Sequence, residues 1–208
     1  AMRRLRLLGP ACVESIPRAQ ANPAECAEYE RSTGTVPRFR SRRTVALLGY
    51  LVAERRSVAR DFLAALFWPD EATSRGRGNL RRELHNLAQI LPGCWELDRQ
   101  AVAFVPSDGV DVDLYTVLQL AAEGRWLEAA ELLGGEFLEG LYFDGNLEFE
   151  SWLLGERERW RGRAESILAR VIEGHMRRGH YADALGQTRR LLQIAPWNES
   201  AHRQAMRL

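Results

Sequence analysis

The stretch from residue 75 to residue 91, RGRGNLRRELHNLAQIL, constrains the fold of this chain more than any other. It carries leucines at spacings of three and four residues: Leu80, Leu84, Leu87 and Leu91. At about 100° of rotation per residue, these leucines fall within one narrow arc of a helix. The stretch is therefore predicted to be an amphipathic helix whose leucine stripe faces a core.

The opposite arc of this predicted helix is polar and basic. It holds Arg75, Asn79, Arg82, Asn86 and Gln89, with His85 beside them and Arg81 on the flank. Arginine can fork onto guanine or bind phosphate, and asparagine and glutamine can pair with adenine. The arc is therefore a candidate surface for nucleic acid, and the alternative is an ordinary solvated helix face.

The segments around this helix predict a small domain that also contains strands. Residues 3–8 read as a strand, and residues 14–37 as an irregular insertion. Two helices are predicted over 41–54, capped by Ser41, and over 57–68, where Phe62, Leu63, Leu66 and Phe67 turn inward and Pro69 ends the helix. Thr73 or Ser74 would then cap the third helix.

A β-hairpin is predicted after the third helix, over residues 94–106. Apolar residues flank a turn at 98–100, which places Arg99 at the tip. Three helices followed by a hairpin, with a strand before them, is the order of a winged helix-turn-helix, in which the third helix enters the major groove. Residues 1–106 are therefore predicted to be a DNA-binding domain.

The charge is divided unevenly along the chain. The formal net charge is only +1, but residues 1–110 hold 17 arginines against 12 acidic residues, and residues 111–208 hold 12 against 16. Within residues 38–82 the net charge is +7. This division indicates one module that binds a polyanion and a second module with a different role.

The composition also argues against several classes of enzyme. All 29 basic residues are arginine, so the lysine of a P-loop or of Schiff-base chemistry is missing. The three cysteines and four histidines show no ligand spacing, so we expect no metal, no cofactor and no catalytic residues. The sequence has neither a signal segment nor an apolar run long enough to cross a membrane, which favours a cytoplasmic protein.

Two copies of a short pattern organise the acidic part, residues 107–208. GRWLEA (124–129) and GHYADA (179–184) share Gly-x-aromatic-x-x-Ala, which is typical of the turn and second helix of a tetratricopeptide-type pair. The chain ends at Leu208, just inside the first helix of a further repeat, so we expect the repeat domain to be truncated. The predicted fold class is thus mainly α with small β elements: a winged helix-turn-helix followed by a tetratricopeptide-like α-helical repeat domain.

Several stretches resemble one family, the Streptomyces antibiotic regulatory proteins. The most specific are LFWPD (66–70) with GNLRRELHNLAQIL (78–91), and FLEGLYFDGNLEFESWLLGERERWR (137–161). The family joins a response-regulator-type winged helix to a tetratricopeptide-like bacterial transcriptional activation domain. It differs from this chain in often having alanines where Gly76 and Gly78 stand.

The resemblance implies a transcriptional activator that binds promoter DNA. Its partners would be double-stranded DNA at direct repeats, RNA polymerase and a second copy of the chain, with no membrane contact. By position, the recognition helix would present Arg75, Asn79, Arg81, Arg82, His85 and Asn86; the first helix would present Arg40, Arg42 and Arg43; and the wing would present Arg99. The alternative is a protein-interaction scaffold whose winged helix is degenerate.

Overall fold

The computed structural model describes residues 2–16, 39–143 and 146–207. The chain is mainly α-helical with two small sheets, as predicted from the sequence. The elements in chain order are β1 (Met2–Arg6), β2 (Cys12–Ile16), α1 (Arg42–Glu54), β3 (Val58–Ala59), α2 (Arg60–Phe67), α3 (Thr73–Ile90), β4 (Trp95–Leu97), β5 (Ala101–Phe104), β6 (Val110–Val112), α4 (Asp113–Ala122), α5 (Trp126–Glu131), α6 (Leu147–Arg177), α7 (Tyr181–Ile194) and α8 (Glu199–Ala205).

The first sheet has the order β2-β1-β6, with β1 antiparallel to β2 and parallel to β6. Because β2 pairs along its whole length with β1, the irregular segment predicted from residue 14 is wrong for residues 14–16. The remainder of that segment lies outside the described residues. Leu5 is fully buried on one face of the sheet, while Arg4 on the other face bonds Asp111 at 2.7 Å.

The second sheet has the order β3-β5-β4 and contains the predicted hairpin. Strands β4 and β5 are antiparallel, and Trp95 faces Phe104 across them with ring centroids 5.2 Å apart. Val58 of β3 pairs with Val102 of β5, and both are buried. The short strand β3 therefore ties the start of α2 to the hairpin.

Helix α1 begins as the sequence predicted, since the Ser41 hydroxyl accepts a hydrogen bond from the Thr44 N–H at 3.1 Å. Two other expectations are wrong. Phe62 is 42% exposed, because α2 buries a narrow stripe of Leu63, Leu66 and Phe67 and Phe62 lies beside it. Neither Thr73 nor Ser74 caps α3, because both lie inside the helix and the N-cap position is Ala72.

The two repeat-like turns of the acidic half adopt the same conformation. Gly124 and Gly179 both have φ of +74°, a value that favours glycine, and α5 and α7 begin two residues later. The alanine of each copy, Ala129 or Ala184, is fully buried where the paired helices meet. A long helix, α6, and an irregular segment over residues 132–143 separate the two copies, which accounts for their wide spacing.

An aromatic cluster joins the basic half of the chain, residues 1–106, to the acidic half, residues 107–208. Tyr50 of α1 lies 4.6 Å from Trp152 of α6, and Phe67 of α2 lies 5.2 Å from Phe149 of α6. Asn146 caps α6 through Phe149 N–H and donates its own amide to the Leu66 carbonyl of α2. The buried side chains of both halves accordingly form one continuous cluster.

Hydrogen bonds at the end of α1 strengthen this junction. The Tyr115 hydroxyl donates to the Val52 carbonyl at 2.8 Å, and Trp152 Nε1 donates to Glu54 at 3.2 Å. Burial raises the pKa of Tyr115 to about 12, so the hydroxyl stays protonated and available as a donor at neutral pH.

A buried carboxylate fixes the end of β1. Asp113 is 1% exposed and accepts hydrogen bonds from the N–H groups of Leu7, Leu8 and Leu114 at 2.7, 2.8 and 2.8 Å. Burial raises the pKa of this carboxyl group, and the three N–H donors act in the opposite direction. Asp113 therefore satisfies backbone donors that would otherwise be buried without partners.

None of the helices in the described part of the chain is long and apolar enough to cross a membrane.

We expect Asp113→Ala to lower the free energy of unfolding by about 1–3 kcal/mol, since it leaves buried N–H groups unpaired. Urea unfolding followed by circular dichroism measures this change. Asp108→Ala, which removes an exposed carboxylate five positions earlier, is the matched control and should change the free energy by less than about 0.5 kcal/mol. Equal effects of the two substitutions would contradict the role given to Asp113.

Candidate nucleic-acid interface

Helix α3 packs its leucines inward and leaves its basic side chains in solvent. Leu80, Leu84 and Leu87 are buried, as the periodicity predicted. The structure leaves five of the predicted contact residues on this helix accessible: Arg75, Asn79, Arg81, Arg82 and His85. The leucine stripe holds the helix against α1 and α2, so the opposite surface is presented on a rigid element.

Asn86 is the predicted contact residue that the structure places differently. Its exposed fraction is 8%, and its Oδ1 accepts a hydrogen bond from Arg40 at 3.4 Å. The N-terminus of α1 lies alongside α3 here, where Thr44 Oγ1 also donates to Glu83 at 2.6 Å. Asn86 therefore positions Arg40 instead of reaching outward, and we remove it from the set of base-contacting candidates.

A basic cleft lies between α3, the start of α2 and the hairpin turn. Its volume is about 550 Å³. We define the basic cleft by its charged lining residues, which are Arg60, Asp61, Arg77, Arg81 and Arg99. Arg81 and Arg99 were predicted from the sequence on separate elements, and the fold brings them to one site.

Arg60 and Arg77 are lining residues that the sequence reasoning missed. Arg60 binds the hairpin, with its Nε donating to the Asp98 carbonyl at 2.7 Å and its backbone N–H donating to the Gln100 carbonyl at 2.8 Å. Arg77 lies on the flank of α3, between the leucine stripe and the basic arc. Arg77 belongs to the cleft because it lies close to α2, and helical periodicity in the sequence gives no distance between two helices.

Arg77 and Asp61 form a two-point ion pair across the basic cleft. Arg77 Nε and one terminal nitrogen each lie 2.7 Å from an Asp61 oxygen. The hydrogen bonds from Arg77 lower the pKa of Asp61. Both side chains are exposed, so the pair adds little stability. It does, however, neutralise one positive charge of the cleft.

The predicted contact arginines of α3 and the hairpin differ in whether they form an ion pair. Arg75 pairs with Glu71 at 3.5 Å, whereas no ion pair forms with Arg81, Arg82 or Arg99 among residues 2–16, 39–143 and 146–207. Unpaired guanidinium groups on a surface remain available for phosphate or base contacts.

The three predicted arginines at the start of α1 are all exposed, but their surroundings differ. Arg43 lies over the rings of Trp68 and Phe143, with its guanidinium carbon 5.7 and 5.4 Å from the two centroids. Such stacking fixes the side chain without neutralising its charge. Arg42 is the first residue of α1, where free backbone N–H groups add positive potential.

The two glycines of α3 do not interrupt the helix, which runs unbroken from Thr73 to Ile90. Gly76 is buried, and a Cβ there would lie 3.7 Å from the Ala64 carbonyl and from Trp68 Cβ, an ordinary contact distance. A Cβ on Gly78 would meet no atom within 4 Å. The first turn of α3 is therefore helical despite the glycines at 76 and 78.

Comparisons with known proteins bear on the acidic half and on the overall fold. Residues 116–208 match the family model of the bacterial transcriptional activator domain. A solved structure of Mycobacterium tuberculosis EmbR in complex with a low-affinity phosphopeptide shares the fold, with a TM-score of 0.62 at 18% sequence identity. That match covers 98% of this chain and 53% of the EmbR chain, so this chain spans about half the length of EmbR. No curated protein matches the sequence significantly.

The matched domain, over residues 116–208, is the one that the resemblance to the Streptomyces antibiotic regulatory proteins implied for the acidic half.

We expect Gly78→Ala to raise the free energy of unfolding by about 1 kcal/mol, because alanine favours the helix and the added methyl group enters open space. Gly49→Ala in α1 is the contrasting variant, since its Cβ would lie 2.5 Å from the buried Leu138 side chain and should destabilise the protein. Urea denaturation of both variants tests this. A loss of stability in Gly78→Ala would mean that α3 is not helical at that position.

Proposed function

We propose that this protein is a transcription regulator that binds promoter DNA in the cytoplasm. The chain resembles the Streptomyces antibiotic regulatory proteins, and residues 116–208 match the bacterial transcriptional activator domain. Residues 1–106 would act as a winged helix-turn-helix, with α3 as recognition helix and the β4–β5 hairpin as wing. Residues 107–208 would act as a tetratricopeptide-like activation domain. The observation that carries the proposal is the basic cleft, which brings Arg81 of α3 and Arg99 of the hairpin turn to one site. Arg82 is exposed on the same helix, and none of these three arginines forms an ion pair in the described part of the chain.

In this proposal α3 lies in the major groove. A helix with its side chains is about 10–12 Å across, which fits a groove about 12 Å wide. Arg75, Asn79 and Arg82 share one arc and would face base edges, with His85 beside them. Arginine bound to guanine and asparagine bound to adenine would supply the sequence preference.

Phosphate contacts would flank the groove on both sides of α3. Arg81 and Arg99 of the basic cleft would bind one backbone, with Arg99 placed by the hairpin turn. Arg40 and Arg42 would bind phosphate at the N-terminus of α1, where the helix dipole also attracts an anion. Arg43 would add charge to the same position from its place over Trp68.

The acidic half would contact other proteins. Its described surface exposes large apolar side chains, among them Leu154 of α6, Tyr181 of α7 and Trp197. Aromatic side chains are favoured at protein interfaces. The proposed partners are RNA polymerase and a second copy of the chain bound to an adjacent direct repeat.

The competing function, an interaction scaffold with a degenerate winged helix, rests on the two glycines of α3 and on Ala88, where the Streptomyces antibiotic regulatory proteins often carry a basic residue. The unbroken helix weakens the first of these grounds, and a test of DNA binding separates the two functions. A scaffold would show no salt-dependent affinity for duplex DNA, whereas a regulator would lose affinity steeply with salt as condensed counterions are released.

We expect Arg82→Ala to weaken binding to a specific site by about 1–3 kcal/mol. The site would first be selected from a random pool of duplexes, and affinities would be measured by fluorescence polarisation at two salt concentrations. Arg189→Ala removes an exposed arginine from α7 and is the matched control, which should bind like the parent chain. The base-reading role fails if Arg82→Ala and Arg189→Ala bind the selected site with the same affinity.

We also expect Asp61→Ala to strengthen binding to DNA of any sequence. The substitution removes a carboxylate from the basic cleft and releases Arg77 for a phosphate, which should steepen the salt dependence by about one counterion. Glu199→Ala is the control, because it releases Arg203 from an exposed ion pair in the acidic half. If Asp61→Ala leaves affinity and salt slope unchanged, the cleft does not face DNA.

A further inference from the structure

The turn between α6 and α7 brings together two imidazoles and a carboxylate. His175 lies in the last turn of α6, His180 directly precedes α7, and Asp183 lies in the first turn of α7. Their candidate ligand atoms all lie within 4.8 Å of one another. The Nδ1 atoms of His175 and His180 are each 3.9 Å from the same Asp183 oxygen.

The inner member of this group has a buried ring nitrogen without a partner. His175 Nδ1 is inaccessible to solvent and makes no hydrogen bond within the described part of the chain. Its distance of 3.9 Å from Asp183 is too long for a hydrogen bond. This ring nitrogen lies beside a carboxylate and near a second imidazole, and all three groups are of a kind that can bind a metal ion.

We propose that His175, His180 and Asp183 bind a divalent transition-metal ion of the zinc type. Two imidazoles and one carboxylate are a ligand set that such ions prefer, with water completing the coordination. Zn–N and Zn–O bonds of about 2.0–2.2 Å place tetrahedral ligand atoms about 3.3 Å apart. The two separations of 3.9 Å exceed that value by about 0.6 Å, and all the candidate ligand atoms lie within 4.8 Å of one another.

The two outer ligands have exposed side chains. The His175 side chain is 13% exposed, whereas those of His180 and Asp183 are 57% and 65% exposed. Rotation about the side-chain bonds of His180 and Asp183 would bring their ligand atoms closer to His175 without a change in the backbone. The left-handed Gly179 makes the meeting possible, because it reverses the chain so that the two imidazole centroids lie 6.1 Å apart.

Metal binding here would join two helices. The ion would connect the C-terminus of α6 to the N-terminus of α7 and so stabilise the tetratricopeptide-like turn. Any ligand that binds only the folded state raises the apparent stability by mass action. The site lies in the acidic half, and its existence does not depend on whether α3 binds DNA.

The experiment is a titration of the chelator-treated chain with zinc chloride by calorimetry, followed by substitution of Co²⁺ to record its visible absorption. We expect one ion per chain, a rise in melting temperature with Zn²⁺, and the Co²⁺ spectrum of a four- or five-coordinate nitrogen and oxygen site. His180→Ala and Asp183→Asn should each weaken binding by at least about tenfold. Both residues are exposed, and circular dichroism would verify that the variants fold.

His202→Ala, which removes an exposed histidine from α8, is the matched control and should bind like the parent chain. The proposal is overturned if the parent chain shows no saturable zinc binding. It is equally overturned if His180→Ala and Asp183→Asn bind zinc as the parent does, or if His202→Ala weakens binding as much as they do.

Discussion

The arrangement of the two halves depends on the carboxylate of Asp113. By accepting the N–H groups of Leu7 and Leu8, it fixes the chain as it leaves β1, next to the strand pairing of β1 with β6. The same residues then bind the irregular segment: Leu138 N–H donates to the Leu7 carbonyl at 2.8 Å, and Leu8 bridges to Phe137. The start of the chain is thereby built into the acidic half, and the buried carboxyl group of Asp113 holds it there through satisfied hydrogen bonds.

Helix α1 connects the acidic half to α3, because its two ends contact both. Its N-terminus lies beside α3 through Thr44 and Glu83, while its C-terminus receives Tyr115 and Trp152 from the acidic half. Tyr50 and Phe67 pack on α6 between these two ends. Since the aromatic cluster is continuous, the position of α3 is fixed by packing from both halves, and the two halves do not have separate cores.

The basic surface illustrates how local charge and net charge differ. Although the net charge is only +1, Arg81, Arg82 and Arg99 are exposed and form no ion pair in the described part of the chain, and most of the acidic residues lie in the other half. Within the basic cleft, Asp61 offsets Arg77, and on α3 Glu83 is bound by Thr44. The electrostatic potential at a bound phosphate would depend on which nearby carboxylates already pair with arginines or accept hydrogen bonds. That pairing is set by contacts between helices and strands.

The sequence by itself determined the helices, the hairpin and the direction in which α3 faces. Helical periodicity and capping are local properties. Residue spacing alone therefore predicted the leucine stripe, the Ser41 cap and the glycine turns at 124 and 179. The resemblance to a family added the nature of the acidic half. Neither source gave the distances between side chains on different elements.

Tertiary structure alone decided which polar residues meet. It buried Asn86 against Arg40, exposed Phe62, and brought Arg60 and Arg77 into the basic cleft with Arg99. It also joined His175 to His180, which are five positions apart and unfit for one helix face, through the reversal at Gly179. The physical reason is common to all four cases: a periodic pattern fixes the direction of a side chain about its own helix, whereas burial and pairing depend on the element that packs against it.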